Sequence, residues 1–227
     1  MKNKSIVLLS GGLDSVVSLA LVKEFCSEIL AITFNYGQKS FLAEKEASEK
    51  ISQYYNIEHI IVDLPWLNTI SNSSLTNGSE VPKISMENLN DIKTLTNASN
   101  SVWIPNRNAL FINIGACYAE AKEYNSIIIG ANKEESATFK DNSDDFIKAI
   151  NLSLENSLNN VVKVIAPLID ASKSEIVKMG LDLNIPFNLI YSCYLGNGKH
   201  CGECESCMHL KRALLENKAY NLIDEIF

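Results

Sequence analysis

Short apolar runs alternate along this chain with longer stretches in which apolar residues recur at helical spacing. Ile6 to Leu9 is an unbroken apolar run that stops at Ser10-Gly11-Gly12, as a buried strand ending in a turn does. Asp14 to Cys26 reads as a helix, and Ile29 to Phe34 as a second strand. Ala43, Ala47, Ile51 and Tyr54 share one helix face, and Ile57 to Val62 is a third strand. Further on, Leu110, Ile114, Cys117 and Ala121 mark a helix face, and Ile127-Ile128-Ile129 is a short strand ending at Gly130. Phe146 to Leu158 reads as a helix and Val161 to Ala166 as a fifth strand. Ser172-Lys173-Ser174-Glu175 has the Ser-x-x-Glu pattern of a capping box, so a helix follows it.

Near-continuous apolar strands alternating with amphipathic helices predict an α/β fold. Its parallel sheet of about five strands is covered by helices on both faces. In such folds ligands bind beyond the C-terminal ends of the strands. We place a nucleotide-binding domain at 1–189 and a cysteine-bearing C-terminal region at 190–227. The segment 67–102 is rich in Asn, Ser and Thr and exceeds the ~12–15 residues of an inert connection. Its composition leaves a lid, a binding loop and an unstructured stretch all open.

The first strand end carries chemistry. Leu9 leads into Ser10-Gly11-Gly12-Leu13-Asp14-Ser15. The glycines let backbone approach an anion, and the following helix points free N–H groups at the turn. Ser10 and Ser15 add hydroxyls. There is no Gly-Lys-Ser/Thr ending, so this is not a Walker A loop. The hexapeptide resembles the PP-loop of ATP pyrophosphatases, which holds the β,γ-pyrophosphate and leaves the α-phosphorus open to attack. Asp14 repels phosphate unless a cation such as magnesium intervenes; the equal alternative is a carboxylate satisfying the helix dipole.

Near the C-terminus, Cys193, Cys201, Cys204 and Cys207 form C-x7-C-x2-C-x2-C. This spacing suits four thiolates closing around one structural zinc ion. Iron–sulfur is the rival, but in the ferredoxin pattern the fourth cysteine falls at 211, which is Lys here. His200 and His209 are spare ligands for which a helix-surface role is the stronger reading. Cys26 and Cys117 lie on apolar helix faces as small buried hydrophobes.

Composition narrows the class. The chain has 227 residues, 46% hydrophobic and 21% charged, with a formal net charge of −7. It can bury a core, and its acidity argues against nucleic acid or an anionic membrane as the main partner. The basic start Met1-Lys2-Asn3-Lys4 precedes an apolar run too short for a signal-peptide core, and no stretch approaches the ~18 apolar residues of a membrane span. The expectation is a cytoplasmic protein, in which clustered cysteines point to metal and not to disulfides.

Beyond the PP-loop, several segments narrow the family. They are Ile104-Pro105-Asn106-Arg107-Asn108; Gly130-Ala131-Asn132; Asp141 with Phe146; Pro167-Leu168 with Lys173 and Glu175; and Ser192-Cys193-Tyr194 before the close cysteines. Over nearly its whole length the chain resembles the 7-cyano-7-deazaguanine synthase (QueC) family of PP-loop ATP pyrophosphatases. The resemblance implies a Rossmann-like sheet with a zinc-binding helical region, a homodimer, and adenine over the end of the second strand near Phe34 and Tyr36. It implies ATP, ammonia and a deazapurine acid as substrates: the acid is adenylylated, ammonia gives the amide, and a second ATP activates the amide oxygen on the way to the nitrile. Arg107 then clamps phosphate or carboxylate, where a plain surface Arg at a helix start would oppose the dipole. Asp141 accepts from the guanine-like edge or caps the Phe146 helix. Glu134 and Glu135 are weaker candidates. Many members have Tyr-Pro-Asp-Cys-Arg where this chain has Phe139-Lys140-Asp141-Asn142-Ser143, so the substrate contacts there differ. A tRNA-thiolating PP-loop enzyme would show a basic docking face, and a non-catalytic nucleotide- or zinc-binding module would need no Arg107.

Overall fold

The computed structural model describes residues 3–227; Met1 and Lys2, which open the basic N-terminal quartet, lie outside the described residues. The chain runs β1 (Asn3–Leu8), α1 (Leu13–Lys23), β2 (Cys26–Asn35), α2 (Phe41–Tyr55), β3 (Glu58–Asp63), α3 (Pro65–Thr69), α4 (Ile92–Val102), α5 (Arg107–Lys122), β4 (Ser126–Ile128), α6 (Lys133–Ser136), α7 (Asp144–Ser157), β5 (Lys163–Ile165), α8 (Lys173–Asp182), α9 (Glu205–Glu216) and α10 (Tyr220–Ile226). The five strands form one parallel sheet in the order β3-β2-β1-β4-β5.

Consecutive strand residues point to opposite faces, and both faces are buried. Val7 and Leu9 enter one core with Val16 and Val17 of α1, Ile51 of α2, Ile176 of α8 and Leu214 of α9. Ile6, Leu30, Ile32 and Ile127 enter the other with Ile112 of α5 and Leu154 of α7. Strand order reverses between β1 and β4, so a crevice opens beyond their C-terminal ends.

Every strand and helix read from the pattern is present, with shifts that have causes. The first helix stops at Lys23, and Cys26 opens β2, its Sγ 3.0 Å from Ser5 Oγ. In α5 the buried face is Ile112, Gly115, Ala116 and Ala119, and Cys117 is exposed, contrary to expectation. That helix is apolar on most sides, so periodicity could not choose its inner face. Close approach to the sheet chose it: a methyl group at Gly115 would already touch Leu8 and Ile127 at 3.5 and 3.6 Å. On α2, Ala47 and Ile51 are buried as expected, while Tyr54 is exposed. The capping box forms: Ser172 Oγ accepts from Glu175 N, and Ser172 N donates to Glu175 Oε2.

The polar segment 67–102 is folded. Asp91 caps α4 by accepting from Lys93 N and Thr94 N. Ile84, Leu89, Leu95 and Ala98 form a small third core with Met208 of α9. The serines and asparagines satisfy local backbone groups, as where Ser73 N donates to Ser71 Oγ and Ser79 N to Asn77 Oδ1. The segment 190–227 packs into the same core as α1 through Ile190, Tyr191, Leu210 and Leu214. No helix among the described residues is long and apolar enough to cross a membrane.

Ile127 is fully buried on β4, between β1 and β5. Ile127→Ala removes packing that the flanking strands cannot collapse to replace, and urea denaturation is expected to show a loss of about 2–5 kcal/mol.

Candidate nucleotide site and metal centre

The loop after β1 follows from two glycines with different tasks. Gly11 has φ +77°, and a Cβ there would lie 2.7 Å from Ala47 Cβ, so a side chain is excluded by both conformation and space. Gly12 is the N-cap of α1 with ordinary extended geometry, and a Cβ there would meet nothing closer than Ser10 Oγ at 3.4 Å. Within the turn, Ser15 Oγ donates to Gly12 O at 2.9 Å and lies 3.3 Å from Ser10 Oγ. At Gly130, a Cβ would lie 3.0 Å from Ser15 N, so the end of β4 presses on the first turn of α1.

The loop is also held from the far end of the chain. Tyr191 N donates to Gly11 O at 2.8 Å, and Leu13 N donates to Ser192 Oγ at 3.1 Å. Ser192 N in turn donates to His200 Nε2 at 2.9 Å. His200 is therefore a buried structural acceptor in a loop, not a helix-surface residue; burial lowers its pKa and suits the neutral ring that acceptance requires.

A cavity of about 260 Å³ lies beyond β1 and β4. It is lined by Leu9, Ser10, Gly12, Asp14, Ser15, Phe34, Tyr36 and Arg107 of the expected set. Gly11 and Leu13 do not line it; Gly11 faces α2, and Leu13 is buried in the core. Arg107 begins α5, behind Asn106 in the left-handed region at φ +53°. Its Nη1 donates to Tyr36 Oη at 3.5 Å and its Nε to Asn108 Oδ1 at 3.4 Å. Burial works against its charge, but Tyr36 and Asp141 outweigh burial and hold it protonated. Phe34 is stacked on Phe111, ring centroids 3.9 Å apart, so Phe111 already covers one face of that ring.

Asp14 is tied into a charge network. Its Oδ2 accepts from Lys173 Nζ at 2.7 Å, and Lys173 also donates to Glu135 Oε1 at 3.0 Å. Burial pushes Asp14 up to about 6 against the pull of Lys173. Glu135 is only half-buried; desolvation works against its charge, but Lys173 outweighs it and holds the carboxyl below the usual range. Asp14 Oδ1 has no hydrogen-bond partner among the described residues. Glu134 accepts from Lys173 N and Arg212 Nη2, at 2.8 and 2.6 Å, and so serves the fold. Asp141 sits beside Arg107 with Oδ1 unpartnered, yet Phe139 and Asn142 line the cavity and Asp141 does not. Nor does Asp141 cap the following helix: Ser143 does, accepting from Phe146 N at 3.1 Å. Phe111, Tyr191, Ser192 and Tyr194 also line this cavity, and Lys173 reaches it through Asp14; sequence reasoning assigned none of the five to it. Two signals pointed at it without a place in space: the capping box holding Lys173, and Ser192 beside the first cysteine.

Cys193, Cys201, Cys204 and Cys207 converge, their Sγ atoms all within 4.8 Å of one another. Arms of ~2.3 Å in a tetrahedron give an edge of about 3.8 Å, and Cys201 and Cys207 Sγ lie 3.8 Å apart. Backbone N–H groups of Leu195 and Cys201 point at Cys193 Sγ, and those of Glu203 and Cys204 at Cys201 Sγ. Cys204 caps α9 and Cys207 lies in its first turn, where the dipole favours thiolate. The donor set fits one tetrahedral ion. Neither His200 nor His209 belongs to this sulfur cluster.

The family described as "Queuosine biosynthesis protein QueC" matches residues 4–218. The 7-cyano-7-deazaguanine synthase of Methanobrevibacter smithii is 48% identical over 213 residues, covering 94% of this chain and 93% of that one. That of Carboxydothermus hydrogenoformans is 47% identical over 212 residues, covering 92% and 97%. Among solved structures, a 4-thiouridine synthetase–RNA complex with bound ATP aligns with a TM-score of 0.51 at 19% identity, over 98% of this chain and 52% of that one. That likeness concerns the fold alone.

The two loop glycines make separable predictions. Gly12→Ala is expected to fold with its normal melting temperature while ATP binding, read by calorimetry, is lost, because the added methyl group has room in the fold but enters the cavity that Gly12 lines. Gly11→Ala is expected to lower the melting temperature, because it strains the turn against α2.

Proposed function

The chain belongs to the QueC family of queuosine biosynthesis proteins, and from that membership we propose that it is an ATP-dependent ligase making 7-cyano-7-deazaguanine from 7-carboxy-7-deazaguanine and ammonia. The support for this reading is the cavity that gathers Ser10, Gly12, Asp14 and Ser15 of the loop with Arg107 around one crevice. Ser10, the backbone of Gly12 and the hydroxyl of Ser15 hold the pyrophosphate of ATP. The α-phosphorus then faces the substrate carboxylate, whose oxygen displaces pyrophosphate to give an acyl adenylate. Ammonia adds to the carbonyl carbon, AMP leaves with the former carboxyl oxygen, and a proton is released, leaving the amide. The amide oxygen attacks a second ATP in the same way; loss of AMP and of the two amide protons leaves the nitrile.

Arg107 serves both steps by offsetting charge on phosphate and carboxylate. The open Oδ1 of Asp14 is the hard oxygen donor for magnesium, which would neutralise the phosphates; Lys173 already satisfies the other oxygen. The adenine lies near Phe34 and Tyr36. Asp141 acts through Arg107, as a positioning residue. The four cysteines hold zinc, which supplies structural closure, and 190–227 acts as a metal-stapled clamp on 1–189.

Incubating the protein with the carboxylate, ATP and ammonium should yield the nitrile, AMP and pyrophosphate by mass spectrometry; ADP as the nucleotide product would refute the assignment. The amide supplied alone should also be converted. Arg107→Ala should slow acid and amide turnover together by ~2–4 kcal/mol in barrier height, the scale of one electrostatic donor. For the metal, elemental analysis should find one zinc per chain, and Cys204→Ser should give locally unfolded or insoluble protein, because structural zinc is coupled to folding.

A further inference from the structure

A second cavity of about 30 Å³ adjoins the first. Glu135, Phe139, Tyr194 and Ser206 line both, so one wall separates the two spaces. The small cavity is also lined by Glu205 of α9, which is only 6% exposed and whose Oε2 has no hydrogen-bond partner among the described residues. A buried carboxylate oxygen without a donor is unfavourable by more than a weak surface contact could repair.

The other acids nearby are provided for. Glu134 is held by Arg212 and the Lys173 backbone. Lys173 Nζ is already divided between Asp14 and Glu135. One ammonium group thus faces two carboxylates, and nothing is left for Glu205. Lys173 and His209 also line the space, and Thr138, Tyr194 and Ser206 bring hydroxyls to it, but none of them donates to Glu205 Oε2. Three carboxylates, Glu134, Glu135 and Glu205, share the lining. One small N–H cation would supply the missing donor and offset the excess of negative charge.

Size and lining choose among cations. A water-sized molecule needs about 10–15 Å³ of such volume, so this space holds one or two molecules of that size and no base or nucleotide. Magnesium retains several waters and demands octahedral oxygen donors, which this volume does not accommodate. Ammonium carries four donors and has no obligatory coordination shell, so carboxylate and hydroxyl oxygens of the lining can take the place of its waters. We propose that this cavity is the docking site for ammonium, the nitrogen co-substrate, and that Glu205 is the residue that binds it beside the reaction cavity. The proposal rests on the function assigned above.

The test measures initial rates against ammonium concentration, with ATP and the acid saturating, for wild type and Glu205→Gln. The KM for ammonium should rise roughly 10- to 100-fold, the scale of a lost hydrogen bond to a charged group. The kcat at saturating ammonium and the KM for ATP should stay near wild type, and Glu205→Asp should recover part of the ammonium KM. Because Glu205 adjoins Cys204, zinc content is measured in each variant. An unchanged ammonium KM in a zinc-replete variant overturns the proposal. If the variant loses zinc, thermal unfolding of the wild type decides. Stabilisation by ammonium chloride beyond that by sodium chloride at equal ionic strength supports the site, and equal stabilisation overturns it. A wild type that makes no amide or nitrile at any ammonium concentration refutes the functional reading instead, and the thermal measurement still reads the site on its own.

Discussion

The loop after β1 depends on being held still, and the restraint comes from 179 residues away in the chain. Gly11 O and Leu13 N, the two ends of the turn, are tied to Tyr191 N and Ser192 Oγ. Those two residues directly precede Cys193, and His200, between Cys193 and Cys201, accepts from Ser192 N. The cysteine cluster therefore braces the loop after β1 without itself lining the cavity. Loosening the cluster would free the loop's hydrogen-bond partners and, with them, the direction of its N–H groups.

The charge network adds a second restraint. Lys173 sits at the first turn of α8 and bridges Asp14 on α1 to Glu135 on α6. A buried lysine placed between two carboxylates is stable only where all three stay in register, since removing one leaves an uncompensated buried charge. The bridge thus locks the first turn of α1 to the loop after β4, where Gly130 already allows closest approach. Both sides of the crevice are held by the same lysine.

The segment 67–102 extends this logic to the outer surface. Its Ile84 N donates to Glu203 O, and Lys83 forms a β-bridge with Cys204. With Ile84, Leu89 and Leu95 packed on Met208, it straps the outer side of α9. Its polar composition signals dense local hydrogen bonding and not the absence of structure, a distinction composition cannot make because the same serines and asparagines serve both.

The periodicity of the sequence was enough to establish the parallel α/β class, the strand positions and the capping box, because these depend on spacing within one element. The PP-loop and the four cysteines were equally legible, since their chemistry is compressed into strings of six and fifteen residues. Only the tertiary structure decided which face of α5 turns inward, that Asp141 lies beside Arg107 and outside the cavity, that His200 is an internal acceptor, that Ser192 lines the cavity, and that Lys173 and Glu205 meet in the smaller space next to it. Each of these depends on contacts between residues far apart in the chain. Such contacts are set by strand order and close packing, and a local pattern carries no record of either.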